Sequence, residues 1–176
     1  MLHYLSLQLM KKTVTPYANQ QDSKKKQVTQ MFDGISSNYD FLNRMISLGI
    51  DVKWRKRVVQ ILVHKKPNSI LDIATGTGDL AVALVATKAT KIIGLDISPG
   101  MLSVGKEKVT SSSLDHTIQM VLGDSEALVY DENSFDAVTI AFGVRNFRFN
   151  IIRHFQDLQG VVTLLIQNPN HVVTHL

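Results

Sequence analysis

At 176 residues, 44% of them apolar, the chain suits one globular domain and excludes disorder throughout. The absence of cysteine excludes a disulfide scaffold, a thiolate metal site and a Cys nucleophile, and it fits a reducing cytoplasm. The net charge of +4 divides unevenly: residues 1–67 carry 12 basic and 4 acidic side chains, residues 68–147 carry 5 and 10, and the rest carry 2 and 1. Basic character is therefore local to the N-terminal part, which could face anionic lipid, nucleic acid or water.

Residues 1–23 read as a poorly ordered extension. Its apolar opening, Met1 to Met10, precedes its lysines, the reverse of an export signal, and Met10 is an alternative start. After the run Lys24-Lys25-Lys26, which reads first as a solvated face, Val28, Met31, Phe32 and Ile35 recur at the spacing of one helical stripe. Tyr39, Leu42, Met45 and Ile46 mark a second helix that Gly49 ends. Trp54, Val58, Ile61 and Leu62 mark a third, stopping before Pro67, with Lys53, Arg55, Lys56 and Arg57 largely off the apolar face.

After Pro67 the period shortens. Ser69–Ala74, Lys91–Leu95 and Ala137–Phe142 are short β-rich runs with helical stretches between them, and Ile118–Leu122 is another; together they predict a parallel α/β sheet. Ser98 is placed to cap the helix after the second strand, with Pro99 at its first position. No apolar run approaches the ~18 residues of a spanning helix; Val161 to Ile166, broken by Thr163, is strand-sized.

The segment Leu71 to Ala81 runs from a strand through a glycine turn into a helix. Gly76 and Gly78 let the backbone turn tightly and approach a ligand at the carboxyl end of the sheet. Gly76-x-Gly78-x-x-Ala81 also matches a dinucleotide fingerprint, and Asp96 could hold a ribose in either case. Asp72 weighs against a dinucleotide: a carboxylate at the mouth of the turn repels pyrophosphate but accepts hydrogen bonds from an ammonium group. Asp79 adds a second acid where a diphosphate would sit. S-adenosylmethionine offers an ammonium and a sulfonium and no phosphate. Both acids also have plain structural readings, as a turn residue and a first-turn helix acid.

Asp96 and Ile97 end the second strand, where two carboxylate acceptors could face vicinal ribose hydroxyls. Asp124 and Ser125 follow the third strand, where a side-chain acceptor and nearby backbone could read an adenine amino edge. Met101 would lie near that adenine or in the core. His64, His116 and His154 are isolated, with no ligand-like spacing, so no metal is expected.

The stretch Phe32-Asp33-Gly34-Ile35-Ser36-Ser37-Asn38-Tyr39-Asp40-Phe41-Leu42-Asn43, then Ser47-Leu48-Gly49 and Trp54-Arg55, resembles the N-terminal signature of the demethylmenaquinone and ubiquinone-pathway C-methyltransferases. Asp72 to Asp79, Asp96-Ile97-Ser98, Gly123 to Leu128, Ser134-Phe135-Asp136 and Ala141 to Phe147 follow in the family's order, so the resemblance covers about residues 17 to 147. It implies a Rossmann-like class I fold with a mostly parallel sheet and N-terminal helices, bound to S-adenosylmethionine and methylating a ring carbon of a prenylated quinol. Thr77, Asp96, Asp124 and Ser125 match cofactor-contacting positions, and Tyr39, Arg145 and Asn146 match the reaction pocket. Arg145, always protonated, is suited to stabilise a phenolate or orient a water that takes the phenolic proton. A lipid-tailed substrate would give the basic amphipathic helices a place at the inner face of a membrane.

The resemblance stops after Phe147. Residues 148–176 lack the family's Pro-Gly-Gly-like turn and read as aberrant, out-of-frame sequence, so the closing strands are expected to be missing and an edge to be left unpaired, with Gly160 to Gln167 as a less favoured substitute strand. Residues 24–147 form the expected methyltransferase domain. Against the quinol C-methyltransferase stands an inactive or misfolded cofactor-binding fragment. A nucleic-acid or other small-molecule methyltransferase is a third reading, for which the aromatic-proline motifs of base methyltransferases are absent, so no nucleic-acid partner is expected. A nicotinamide oxidoreductase is the weakest.

Overall fold

The 3.6-residue apolar spacing of the N-terminal part forms two helices, α1 (Lys24–Ile35) and α2 (Ile50–Lys65), with a 3-10 turn at Ser36–Asn38 after the first. The computed structural model describes residues 24–40, 50–131, 134–141, 162–168 and 171–175. Trp54, Val58 and Leu62 of α2 are buried, as their spacing predicts, while Lys53, Lys56 and Arg57 are exposed. Of the predicted second helix, Tyr39 and Asp40 are helical; Leu42, Met45, Ile46 and Gly49 lie outside the described residues.

The strands are β1 (Ser69–Ile73), β2 (Lys91–Asp96), β3 (Ile118–Leu122), β4 (Ala137–Ala141), β5 (Val162–Asn168) and β6 (His171–His175). They form one sheet in the order β3-β2-β1-β4-β5-β6, parallel except for β6. Helices α3 (Asp79–Leu84) and α4 (Pro99–Ser111) follow β1 and β2. Ser98 caps α4 as predicted: its Oγ accepts from the Met101 amide at 3.1 Å, with Pro99 at the first position.

β1 and β2 are buried along nearly their whole length, which is why they read as continuous apolar runs rather than alternating ones. On one face Ile70 and Ile92 pack with Trp54, Val58 and Leu62 of α2 and with Leu80 and Leu84 of α3. On the other, Leu71, Ile73, Ile93 and Leu95 pack with Val138, Ile140 and Phe135. By the two-residue period Asp72 shares a face with Ile70. Truncating one of these fully buried side chains costs about 2–5 kcal/mol.

The expectation of an edge left unpaired is corrected at β4. β5 continues the parallel ladder from Ala137↔Val162 to Ala141↔Ile166, and β6 pairs antiparallel with β5 beyond it, with an irregularity at Ile166/Asn168. The reason is local: β4 is buried on both faces, its backbone groups need partners on both sides, and the β-rich run from Val162 supplies them. The sheet's direction of growth reverses between β1 and β4, with β2 and β3 to one side. The carboxyl ends of these strands thus open a crevice of the kind in which α/β sheets bind ligands. Among the described residues no helix is long and apolar enough to cross a membrane.

Candidate functional site

The glycine loop leaves β1 in three left-handed steps, at Ala74 (φ +54°), Gly76 (φ +57°) and Gly78 (φ +77°), and Gly78 begins α3. The Thr75 amide donates to the Leu95 carbonyl at 3.1 Å, which ties the loop to β2. Beneath it lies the Met120 side chain. A Cβ at Gly78 would stand 3.1 Å from Met120 Cε, one at Gly94 would stand 2.9 Å from its Sδ, and one at Gly105 would meet Met120 Cε and the Thr77 backbone. Three glycines from three elements thus let the loop, β2 and α4 close around one methionine. Gly76 differs: a Cβ there meets nothing within 4 Å, so the space beside it is open.

Asp72 stands beneath the loop rather than at its mouth, and this corrects the sequence reading. It is 1% exposed, its Oδ1 accepts the Thr139 hydroxyl at 2.6 Å and its Oδ2 accepts the Thr75 hydroxyl at 2.7 Å. Burial raises its carboxyl to about 6, against the lowering effect of the two hydroxyls, and the nearby Asp96 charge adds to the rise. Asp72 therefore holds the glycine loop through the Thr75 hydroxyl rather than presenting its carboxylate beside the turn.

Asp96, at the end of β2, is a buried carboxylate at 8% exposure that ties the site's loops together. Its Oδ2 accepts from the Gly76 amide at 2.8 Å and its Oδ1 from the Ser98 amide at 2.9 Å, so one carboxylate bridges the two loops. Burial raises its pKa, while the Ser98, Gly76 and Ile97 amides oppose the rise. The Gly123 amide donates to the Asp96 carbonyl at 2.9 Å, which brings the loop after β3 to the same edge. There Asp124 folds its own turn, its Oδ1 accepting from the Glu126 amide at 2.9 Å, with Ser125 half-buried beside it. Ile97 is also half-buried.

Asp79 stands in the first turn of α3, as its plain structural reading has it, and is ion-paired. Arg55 Nη1 lies 2.9 Å from its Oδ2, and Lys108 pairs with its Oδ1. Both cations are shared with other carboxylates, so Asp79 weighs less against a diphosphate than an unpaired acid would. Arg55 also pairs with buried Asp51 at 2.8 Å, and Lys108 with Asp40 at 2.7 Å. Asp40 in turn accepts the hydroxyl of Thr77, which is 2% exposed. Tyr39 lies edge-on to Phe32 at 6.2 Å between ring centroids. Burial, with the Asp96, Asp40 and Asp79 charges, pushes its phenol above the usual range.

The structure thus brings Asp72, Gly76, Thr77, Gly78, Asp96, Ile97, Asp124 and Ser125 to one edge of the sheet, with Tyr39 near enough for its phenol to feel the Asp96 charge. Arg145 and Asn146 lie outside the described residues. Met101 is 2% exposed and belongs to the core. Sequence reasoning missed Thr75, Thr139, Asp33, Asp40 and Lys108, which hold the loops. Asp33 and Asp40 fall inside the N-terminal signature, the one signal that marked them. A cluster of carboxylates around an open glycine turn suits a ligand with positive charge and ribose hydroxyls, and S-adenosylmethionine has both.

The profile of the ubiE/COQ5 methyltransferase family matches residues 20–162. The demethylmenaquinone methyltransferase of Bacteroides fragilis is 46% identical over 136 residues, 76% of this chain and 55% of that protein. That of Porphyromonas gingivalis is 39% identical over 151 residues, 85% of this chain and 61% of that protein. A Geotalea uraniireducens protein named ubiquinone/menaquinone biosynthesis C-methyltransferase UbiE is 46% identical over 125 residues, 70% of this chain and 53% of that protein. The chain spans little more than half the length of these curated relatives. Among solved structures, an S-adenosylmethionine-dependent methyltransferase from Clostridium acetobutylicum matches with a TM-score of 0.56, 21% identity and coverage of 72% of this chain and 56% of that one. At that identity the likeness speaks for the fold alone: a Rossmann-like class I methyltransferase fold.

Proposed function

Because this chain belongs to the ubiE/COQ5 methyltransferase family, we propose that it binds S-adenosylmethionine at the carboxyl edge of β1 and β2 and methylates a ring carbon of a prenylated quinol, demethylmenaquinol to menaquinol. The observation that carries this reading is the Asp96 carboxylate, bonded to the Gly76 amide at the end of β2 and beside the open space at that glycine. Asp96 and Ile97 would hold the ribose, the Gly76-Thr77-Gly78 backbone would lie along the methionine part, and Asp124 and Ser125 would read the adenine.

When bound, S-adenosylmethionine supplies an electrophilic methyl group. What the chain must add is position and a route for one phenolic proton. Tyr39, kept protonated by its buried and acidic surroundings, is suited to donate to a quinol oxygen. Arg145 and Asn146 would complete the pocket, Arg145 by stabilising the phenolate or orienting a water. Residues 24–147 make up the proposed catalytic domain. The exposed Lys53, Lys56 and Arg57 of α2 are suited to the inner face of an anionic membrane, where a lipid-tailed quinol resides.

Calorimetric titration with S-adenosylmethionine, followed by assay of methyl transfer to a demethylmenaquinol analogue, tests the proposal. Heat and methylated product support it. Heat without product leaves a cofactor-binding chain and removes the catalytic reading.

A further inference from the structure

Asp33 and Asp40 lie at the two ends of a short segment that includes the 3-10 turn, and each reaches a different loop of the site. Asp33 Oδ1 accepts the Ser98 hydroxyl at 2.5 Å and the Gly100 amide at 2.9 Å, at the start of α4 behind Asp96. Asp40 uses both its oxygens, one for the Thr77 hydroxyl in the glycine loop and one for Lys108 of α4. Lys108 lies between Asp40 and Asp79, so a single ammonium allows two carboxylates to approach the same place. The turn is closed on itself by Ser36 Oγ, which donates to the Asp33 carbonyl at 3.0 Å.

We infer that Asp40, with Lys108 as its counter-ion, is a positioning residue for the cofactor site: it seats the 33–40 segment on the glycine loop and so fixes the neighbouring Tyr39. The role rests on the cofactor reading above, and Asp40 itself need not touch the ligand. A segment pinned at Asp33 alone could pivot about the start of α4, and the second pin at Asp40 removes that pivot. The Asp40 and Lys108 side chains are 36% and 25% exposed, so replacing either leaves the core intact.

The chain has no cysteine and one tryptophan, which permits a clean test. Energy transfer from buried Trp54 to an acceptor dye on Ser37→Cys, an exposed site in the turn, reports docking in the cofactor-free protein. The same dye on Ser112→Cys, an exposed site at the end of α4, is the control for global unfolding. Transfer to the turn should fall in Asp40→Ala and Lys108→Met and be kept in Lys108→Arg, with the control unchanged. S-adenosylmethionine affinity, read by calorimetry, should fall about tenfold in the first two and recover in the third. Unchanged transfer, or a fall in transfer with unchanged affinity, overturns the positioning role. Failure of the unaltered chain to bind S-adenosylmethionine, with the docking pattern intact, overturns the cofactor reading and this role with it.

Discussion

In the parallel ladder of β1 and β4, Thr139 stands directly opposite Asp72 and donates its hydroxyl to the buried carboxylate at 2.6 Å. Thr139→Val removes that donor while keeping the side chain's shape, and it should cost about 1–3 kcal/mol in urea unfolding. The loss should be larger above pH 6, where Asp72 is charged, than near pH 4, where it is protonated. A loss independent of pH would mean that the bond does not serve the carboxylate.

Asp72 itself gives stability a pH dependence. Its folded pKa, about 6, lies above the ordinary carboxylate value, so the folded chain binds the proton more tightly than the unfolded one. Stability from this group is fully present below the ordinary value and declines as pH rises through about 6. Asp72→Asn should remove that part of the slope, and unfolding free energies measured across the window for both proteins check it.

The two alanine substitutions at Gly76 and Gly105 should separate binding from packing. Gly76→Ala meets no neighbour, so it should cost about 1 kcal/mol in backbone strain while a Cβ intrudes on the ligand's space. Gly105→Ala collides with Met120 and the Thr77 backbone and should cost about 1–3 kcal/mol. Paired melting and S-adenosylmethionine titrations check this. Gly76→Ala should lose affinity out of proportion to its stability; equal losses in both variants would contradict it.

Asp136 fastens the start of β1 to β4. Its Oδ2 accepts from the Asn68 amide, the Ser69 amide and the Ser69 hydroxyl, at 2.9, 2.8 and 2.9 Å. Those bonds, the Ser69 amide first, hold its pKa below the usual carboxylate value, so its contribution is present at neutral pH and lost as pH falls through the lowered value. Asp136→Ala should cost about 1 kcal/mol at pH 7, its exposure tempering the effect, and less in strong acid.

The parts of this protein that were legible in the sequence are those that local chemistry dictates. The apolar stripe of α2, the Ser98-Pro99 helix start and the glycine turn each lie within a few residues of one another, and the structure forms them as read. Asp72 was placed at the mouth of the turn, and the partners of Asp79 went unseen, because what surrounds both is distant in the chain. Thr139 comes from another strand, and Arg55 and Lys108 from two other helices, and no local pattern announces such partners. The pairing of β5 with β4 was undervalued because the chain was read as leaving the family pattern after Phe147, whereas the family profile matches to residue 162 and the run from Val162 already suited a strand.

The proposed function stands or falls on the edge formed by Asp96 and Gly76 being a site for S-adenosylmethionine. Calorimetric titration of the chain with S-adenosylmethionine, set beside Asp96→Asn and beside NADH as the competing ligand, tests it most directly. The expected result is saturable binding of S-adenosylmethionine at one site per chain, weakened about tenfold or more by Asp96→Asn, and no heat with NADH. No binding of S-adenosylmethionine, or binding of NADH in its place, would contradict it.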